Sequence, residues 1–187
     1  AVDSVAFPLG ISYYVFMSIT YLVSVYRREC GEQGFLSLAC FLAFFPSVVM
    51  GPIGRASAAK GVEPVLPQFD RFKHFGNADE IYVLIIFALV KLLLISGYLG
   101  AYYSDVISGV YGDEPESSAA QILAALLLYG VVLYTNFSGF IDMARAIGLA
   151  MGFNLPQNFN MPYVARSLGE FWDRWHISLS TFIRDYI

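Results

Sequence analysis

Four stretches of this sequence carry almost no charge, and nothing else in it restricts the possible folds as much. Residues 4–26, 34–53 and 119–141 contain no Asp, Glu, Lys or Arg, and residues 81–103 contain only Lys91. A helix needs about 20 mostly apolar residues to cross a bilayer, and each stretch reaches that length. A soluble domain could not cover such surface. Charged residues make up 14% of the chain and hydrophobic ones 57%, where soluble domains carry roughly 25% charge. The same composition excludes disorder, which needs low hydrophobicity and high charge. The expected class is an all-α, polytopic transmembrane protein in contact with membrane lipid. A net charge of −4 leaves no electrostatic footprint for nucleic acid. Cys30 and Cys40 have no metal-ligand spacing and read as buried or interfacial thiols. The chain opens Ala1-Val2-Asp3 and stops where a helical pattern is still running, so it reads as an interior piece of a longer protein.

The linkers sort by charge. Residues 54–80 carry Arg55, Lys60, Arg71 and Lys73, and the segment after Ile141 carries Arg145, Arg166, Arg174 and Arg184. Residues 104–118 hold Asp105, Asp113, Glu114 and Glu116 and no Lys or Arg. The positive-inside rule places 54–80 and 142–187 in the cytoplasm and 104–118 outside, so 81–103 and 119–141 form a helical hairpin. Stretch 34–53 fits less simply. If it spans fully, Arg27 and Arg28 fall outside; if it enters and returns, both of its flanks are cytoplasmic. Proline removes a donor and clashes with the preceding turn, so Phe45-Pro46-Ser47 is the expected breaking point of a re-entrant or broken segment. All four stretches and the 142–187 tail are taken as one membrane domain.

Met151 to Pro162 holds two prolines and three asparagines, which exclude a helix. Ser167-Leu168-Gly169-Glu170 then has the form of a capping box, and one amphipathic helix is expected from there to the end of the chain. On a 3.6-residue period, Phe171, Trp172, Trp175, Leu179, Phe182 and Tyr186 share an apolar face. Asp173, Arg174, Ser178, Arg184 and Asp185 fall opposite. His176 lies at the border, one turn from Ser180.

His176 is the sharpest candidate for chemistry, because an ionisable side chain beside an aromatic face can act as base or proton relay. The simpler alternative is a packing histidine bonded to a carbonyl. Ser at i+4 of a helix usually bonds its own backbone, which weakens a His176–Ser180 pair. Lys91, mid-stretch, requires a cavity, protein surface or a carboxylate partner. Asp142 is a candidate carboxylate, but a helix-end pair with Arg145 at i+3 is the stronger expectation. Asn136-Phe137-Ser138-Gly139-Phe140 offers the small and polar groups that hold membrane helices together. His74, in the basic loop, is given no role.

The tail string Glu170-Phe171-Trp172-Asp173-Arg174-Trp175-His176-Ile177-Ser178-Leu179-Ser180, closed by Arg184-Asp185-Tyr186, resembles the E-F-W-x-R-W-H-x-S-L-S signature of membrane-bound O-acyltransferases. Other segments resemble that family's motifs in the same order. They are Pro8-Leu9-Gly10-Ile11-Ser12 with Val25-Tyr26-Arg27, and Phe44-Phe45-Pro46 with Gly51-Pro52-Ile53 and Arg55. Phe137-Ser138-Gly139-Phe140 with Asp142-Met143-Ala144, and Asn158-Phe159-Asn160 with Pro162-Tyr163, complete the set. Leu66-Pro67-Gln68-Phe69 points to the bacterial polysaccharide branch, on its alginate-acetylating side. Asp173, Ile141 and Arg145 depart from the usual pattern.

The resemblance implies an enzyme of the bacterial cytoplasmic (inner) membrane, multi-pass, without bound cofactor or metal. It would take an acyl group, acetyl above all, from acyl-CoA or an acyl-carrier thioester on the cytoplasmic side. The group would pass through a tunnel to a polysaccharide hydroxyl outside, directly or through periplasmic acyltransferase partners. His176 is the implied catalytic position, and Trp172, Trp175, Ser180, Asp142 and Asn136 are the implied substrate and tunnel residues. A second catalytic histidine is expected beyond Ile187, so the segment alone is expected to be inactive. The alternatives are D-alanyl transfer to teichoic acid, a transporter, or a non-catalytic assembly subunit. The broken stretch and Lys91 would suit a transporter.

Overall fold

A computed structural model describes residues 10–58, 63–71, 74–110 and 118–187. The opening of the first motif at Pro8-Leu9, the linker cations Lys60 and Lys73, and most of the acidic linker (Asp113, Glu114 and Glu116) lie outside the described residues. The described chain is helical and holds no strand. It divides into two compact units: the chain up to Ile81 together with Ala144–Ile187, and Tyr82–Met143.

In the first unit, α1 (Ile11–Tyr26) begins at Gly10, whose φ is +78°. A side chain there would be strained, and its Cβ would lie 2.4 Å from Val48 Cγ1. Helix α1 buries Met17, Thr20 and Ser24, a spacing that aligns them on one helical face. Two hydroxyls on that face are satisfied locally and across the unit: Thr20 donates to the Met17 carbonyl, and Ser24 Oγ lies 2.8 Å from Ser57 Oγ.

Stretch 34–53 is broken at Ala43-Phe44, just ahead of the expected Phe45-Pro46-Ser47. It forms α2 (Phe35–Leu42) and a single turn, α3 (Phe45–Val48), with Phe44 extended between them. Pro46 sits in the first turn of α3, where a missing N–H costs nothing. Gly51 then closes against that turn, and a Cβ on it would lie 2.1 Å from the Pro46 carbonyl oxygen. The chain runs on irregularly through buried Pro52, Ile53, Arg55 and Ala56. Met17, Phe41, Phe44, Val65, Leu66, Phe153 and Leu155 form the core of the unit. Within it, Phe44, Phe69 and Phe153 pack ring against ring at 4.6–5.5 Å. The buried Gln68 clamps the two sides of this core. It accepts from the Asn154 N–H at 2.8 Å and donates to the carbonyls of Asn154 and Pro64 at 3.0 Å.

Two helices are long and apolar enough to cross a membrane, α4 (Ala78–Val110) and α5 (Ala119–Ala150). They contain the expected stretches 81–103 and 119–141. Exposed Ile86, Phe87 and Leu93 on α4, and Leu123, Leu126 and Leu127 on α5, are the kind of surface that hydrocarbon solvates and water does not. Two features differ from expectation. First, α5 continues past Ile141, because Asp142–Ala150 is rich in good helix formers. It ends at Gly152, φ +77°, where Gly152 N–H bonds to Leu149 O and Phe153 N–H to Gly148 O, a Schellman termination. Second, α4 opens into a π-helical segment at Val90–Ser96.

The second unit is built around that segment. Lys91 Nζ reaches Asp142 Oδ2 at 2.5 Å, and Asn136 Nδ2 donates to Ser96 Oγ at 3.2 Å. Gly139 admits Leu92 so closely that a Cβ would meet its Cγ at 2.8 Å. The expected Asp142–Arg145 pair is therefore not formed. Asp142 is taken by Lys91, and Arg145 lies 3.9 Å from Glu80 and donates to the Leu155 carbonyl. Adjacent-turn spacing made the pair possible, but tertiary partners of opposite charge outcompete it.

Candidate active site

The tail begins as its capping box predicts. Ser167 Oγ accepts from Glu170 N–H at 3.1 Å and starts α6 (Leu168–Arg174). The reciprocal arm is shifted by one residue: the Glu170 carboxylate accepts from Arg166 N–H at 2.8 Å rather than from Ser167. Arg174, one turn on, donates to the same carboxylate at 2.8 and 3.1 Å. The Arg166 amide, followed by Arg174, holds the Glu170 carboxyl below the usual carboxylate range.

The expected single helix then fails at one place. Trp175 is extended and His176 is left-handed, with φ +43° and ψ +54°, before α7 (Ile177–Tyr186) begins. The cause lies 14 to 20 residues upstream in the chain, where periodicity cannot register it. Asn160 N–H donates to the Arg174 carbonyl at 2.9 Å, and Ile177 N–H donates to the Asn158 carbonyl at 2.9 Å. Ser178 N–H donates to Asn158 Oδ1 at 2.8 Å, and Arg174 Nη1 to the Asn160 carbonyl at 3.2 Å. The Asn-rich segment thus takes up the backbone groups that a break would otherwise orphan. The shared apolar face expected across residues 171–186 is consequently divided between two helices.

A non-glycine residue in the left-handed region costs about 1–3 kcal/mol, and such strain concentrates at functional sites. Three described non-glycine residues stand there, Arg28, Met161 and His176, and the last is the residue the sequence singles out. The ring is half-buried, with Nδ1 3.4 Å from Asn158 Nδ2 and Phe159 at 6.4 Å between ring centres. Burial pushes its pKa down to about 4, and its own carbonyl opposes this only in part. The imidazole is neutral at physiological pH, able to donate from one nitrogen and accept at the other.

Trp175 anchors the break. It stacks on Phe171 at 5.5 Å and meets Phe159 edge-on at 5.1 Å. Trp172 packs edge-on against Phe171 but is 55% exposed. The Ser180 hydroxyl donates to the Trp175 carbonyl at 3.1 Å, so it supports the turn rather than the imidazole. Asp142 and Asn136 belong to the second unit, where they bind Lys91 and Ser96.

Residues that local patterning did not single out complete the site's frame. Buried Ser178 accepts from Ile53 N–H at 3.0 Å, which ties the first turn of α7 to the Gly51-Pro52-Ile53 run. Arg55, 2% exposed, bonds Asp185 at 2.6 Å and lies 5.4 Å from the Tyr186 ring. Arg27, at the end of α1, donates to the Asp185 carbonyl at 3.0 Å. A buried Arg between two apolar stretches was the available signal, and its partner 130 residues away was not. Ile177, next to His176, lines a cleft of about 370 Å³ with Glu63, Arg145, Asn154 and Gln157.

Three motif segments, Gly51-Pro52-Ile53, Asn158-Phe159-Asn160 and the tail string, therefore meet in the first unit around the His176 turn. The sequence profile of the membrane-bound O-acyltransferase family matches residues 6–187. This chain belongs to that family. It is 37% identical over 96% of its length to the "Probable alginate O-acetylase AlgI" of Pseudomonas aeruginosa, covering 33% of that protein. It is 33% identical, again over 96%, to the "Peptidoglycan O-acetyltransferase" of Helicobacter pylori, covering 38% of it. It is 29% identical over 96% to the "Teichoic acid D-alanyltransferase" of Bacillus subtilis, covering 44% of it. As a membrane-bound O-acyltransferase sequence, the chain thus spans about a third of the length of the alginate O-acetylases it matches.

Proposed function

We propose that this chain forms part of a bacterial inner-membrane, multi-pass O-acyltransferase. The enzyme moves an acetyl group from a cytoplasmic thioester, acyl-CoA or an acyl-carrier protein, to hydroxyls of an exported polysaccharide, directly or through a periplasmic acyltransferase. The observation that carries this reading is the left-handed, half-buried His176 where three of the family's motif segments, Gly51-Pro52-Ile53, Asn158-Phe159-Asn160 and the tail string, come together. The greater identity to alginate O-acetylases than to D-alanyltransferases favours acetyl as the cargo.

The chemistry is within reach of such a site. A thioester is already activated, so the protein must orient the reactants, remove a hydroxyl proton and stabilise the developing oxyanion. A neutral imidazole fixed on a rigid turn supplies one polar contact at a defined position. The base in this reading is a second histidine outside the chain described here. Trp172 and Trp175 contribute apolar wall, and Ser180 keeps the turn in shape.

The test is the exported polysaccharide of a host that makes the full-length protein. Mass spectrometry should find O-acetyl esters in the strain carrying the gene and their loss on its deletion, with restoration on complementation. D-alanyl esters instead of acetyl would move the reading to the teichoic acid branch. Unchanged polymer acylation after deletion would remove it.

A further inference from the structure

The His176 turn makes no use of Arg27, Arg55 and Arg184, and these three arginines line a second cleft of the first unit, about 430 Å³ in volume. One wall is the end of α1, with Arg27 and Glu29 just beyond it. The other is the last turn of α7, with Arg184, Asp185 and Tyr186. Buried Arg55 and Ser57 form the floor. The walls are joined by Phe16 against Phe182, 4.9 Å between ring centres, and by Arg27 on the Asp185 carbonyl. The guanidinium groups of Arg55 and Arg27 lie 5.4 and 5.8 Å from the one Tyr186 ring. Their charges are unevenly met. Arg55 spends Nη1 on Asp185, while its Nη2 is buried with no hydrogen-bond partner. Arg184 meets Asp173, but both side chains are more than 60% exposed, and so open a pair contributes little. Arg27 makes no ion pair among the described residues. Glu29 accepts from the Ser57 hydroxyl at 2.8 Å. Three arginines against two lining carboxylates leave the cleft one positive charge.

Guanidinium forks in a cleft of this sign suit a phosphate group. The surroundings indicate which kind. Arg27 directly follows the uncharged stretch 4–26. Leu22 and Tyr26, one turn apart on α1, are exposed, and so is Ile183 beside Arg184 on α7. In a membrane protein such side chains face lipid, which sets the cleft at the boundary between hydrocarbon and water. Basic pockets between helices at that level take anionic head groups. A soluble phosphate would need the arginines but not the apolar rims. We propose that this cleft binds the phosphodiester of an anionic phospholipid, with Arg27 and Arg184 on the phosphate oxygens and the acyl chains along Leu22, Tyr26 and Ile183. The lipid bridges α1 and α7, and so braces the far end of the helix that begins at His176. This binding does not depend on what His176 does.

Full-length protein in a neutral detergent is titrated with short-chain phosphatidylglycerol, with phosphatidylcholine of the same chain length, and with inorganic pyrophosphate. A ligand that binds only the folded state raises the unfolding midpoint, and native mass spectrometry counts the lipid retained. Phosphatidylglycerol should raise the midpoint and stay bound, and phosphatidylcholine should need about tenfold more for the same shift. The double variant Arg27→Gln/Arg184→Gln should bind phosphatidylglycerol about tenfold more weakly or worse, the usual loss for charged hydrogen bonds. Glu29→Gln removes an anion and leaves the cations, so it should hold the lipid at least as tightly as wild type. Equal responses to the two lipids overturn the proposal, as does wild-type binding by the double variant or weakened binding by Glu29→Gln. Protection by pyrophosphate equal to that by phosphatidylglycerol also overturns it, because the cleft would then serve a soluble phosphate. Should the double variant fail to fold, the wild-type and Glu29→Gln titrations decide.

Discussion

At the residue scale, His176 combines three properties that rarely coincide without reason: a left-handed backbone, partial burial and a strongly lowered pKa. The last has a consequence for stability that can be worked out in sign. The folded ring stays neutral down to about pH 4, whereas an unfolded histidine takes up its proton near 6.5. Between those values the unfolded chain binds more protons, so stability falls as the pH drops through that window. Thermal unfolding of purified full-length protein should therefore shift down between about pH 7 and pH 5 more for wild type than for His176→Gln. Equal shifts would mean that the ring is not withdrawn from water. His176 itself was legible in the sequence, as one of two histidines and the one at the border of the expected Trp-rich helical face. Its conformation was not, because the asparagines that impose it are remote in sequence and local periodicity continued smoothly through the break.

At the element scale, proline, glycine and caps were readable and tertiary partners were not. Pro46 signalled the break in stretch 34–53, which falls just before it at Ala43-Phe44, and Ser167 started α6. Replacing Ser167 by Ala should cost about 1 kcal/mol, the usual loss for such a cap, seen as a lower unfolding midpoint. The π-helical segment of α4 had no sequence signal, and adjacency pointed Asp142 to Arg145 rather than to Lys91. Within the second unit, Lys91→Met leaves the Asp142 carboxylate without its cation, a change that typically costs about 3–5 kcal/mol. Its abundance in membranes should drop sharply, and the double variant Lys91→Met/Asp142→Leu should recover most of it. A single variant as abundant as wild type would show that the pair does not hold the two helices.

At the scale of the whole molecule, class and family were legible because composition and motif strings are properties of the entire chain. The uncharged stretches and the low share of charged residues gave the membrane class. The convergence of segments was not legible: Ile53 against Ser178, Gln68 against Asn154, and Arg55 against Asp185 each join residues far apart in the sequence. These links predict that the unit fails at its joints. Gly51→Ala should be destabilising well beyond a surface change, since its Cβ would meet backbone at 2.1 Å. Full-length protein carrying it should accumulate poorly and resist rescue by lower growth temperature. Normal accumulation would contradict the close packing of Gly51 on Pro46.

The account turns on an imidazole that takes part in acyl transfer, and one measurement bears on it directly. Full-length wild type and His176→Ala, brought to equal abundance in membranes, are given a labelled acetyl thioester, and the label reaching the polysaccharide is counted. The account predicts loss of about two to four orders of magnitude, the usual contribution of a positioned polar catalytic group. Label incorporation at the wild-type rate in His176→Ala would contradict it.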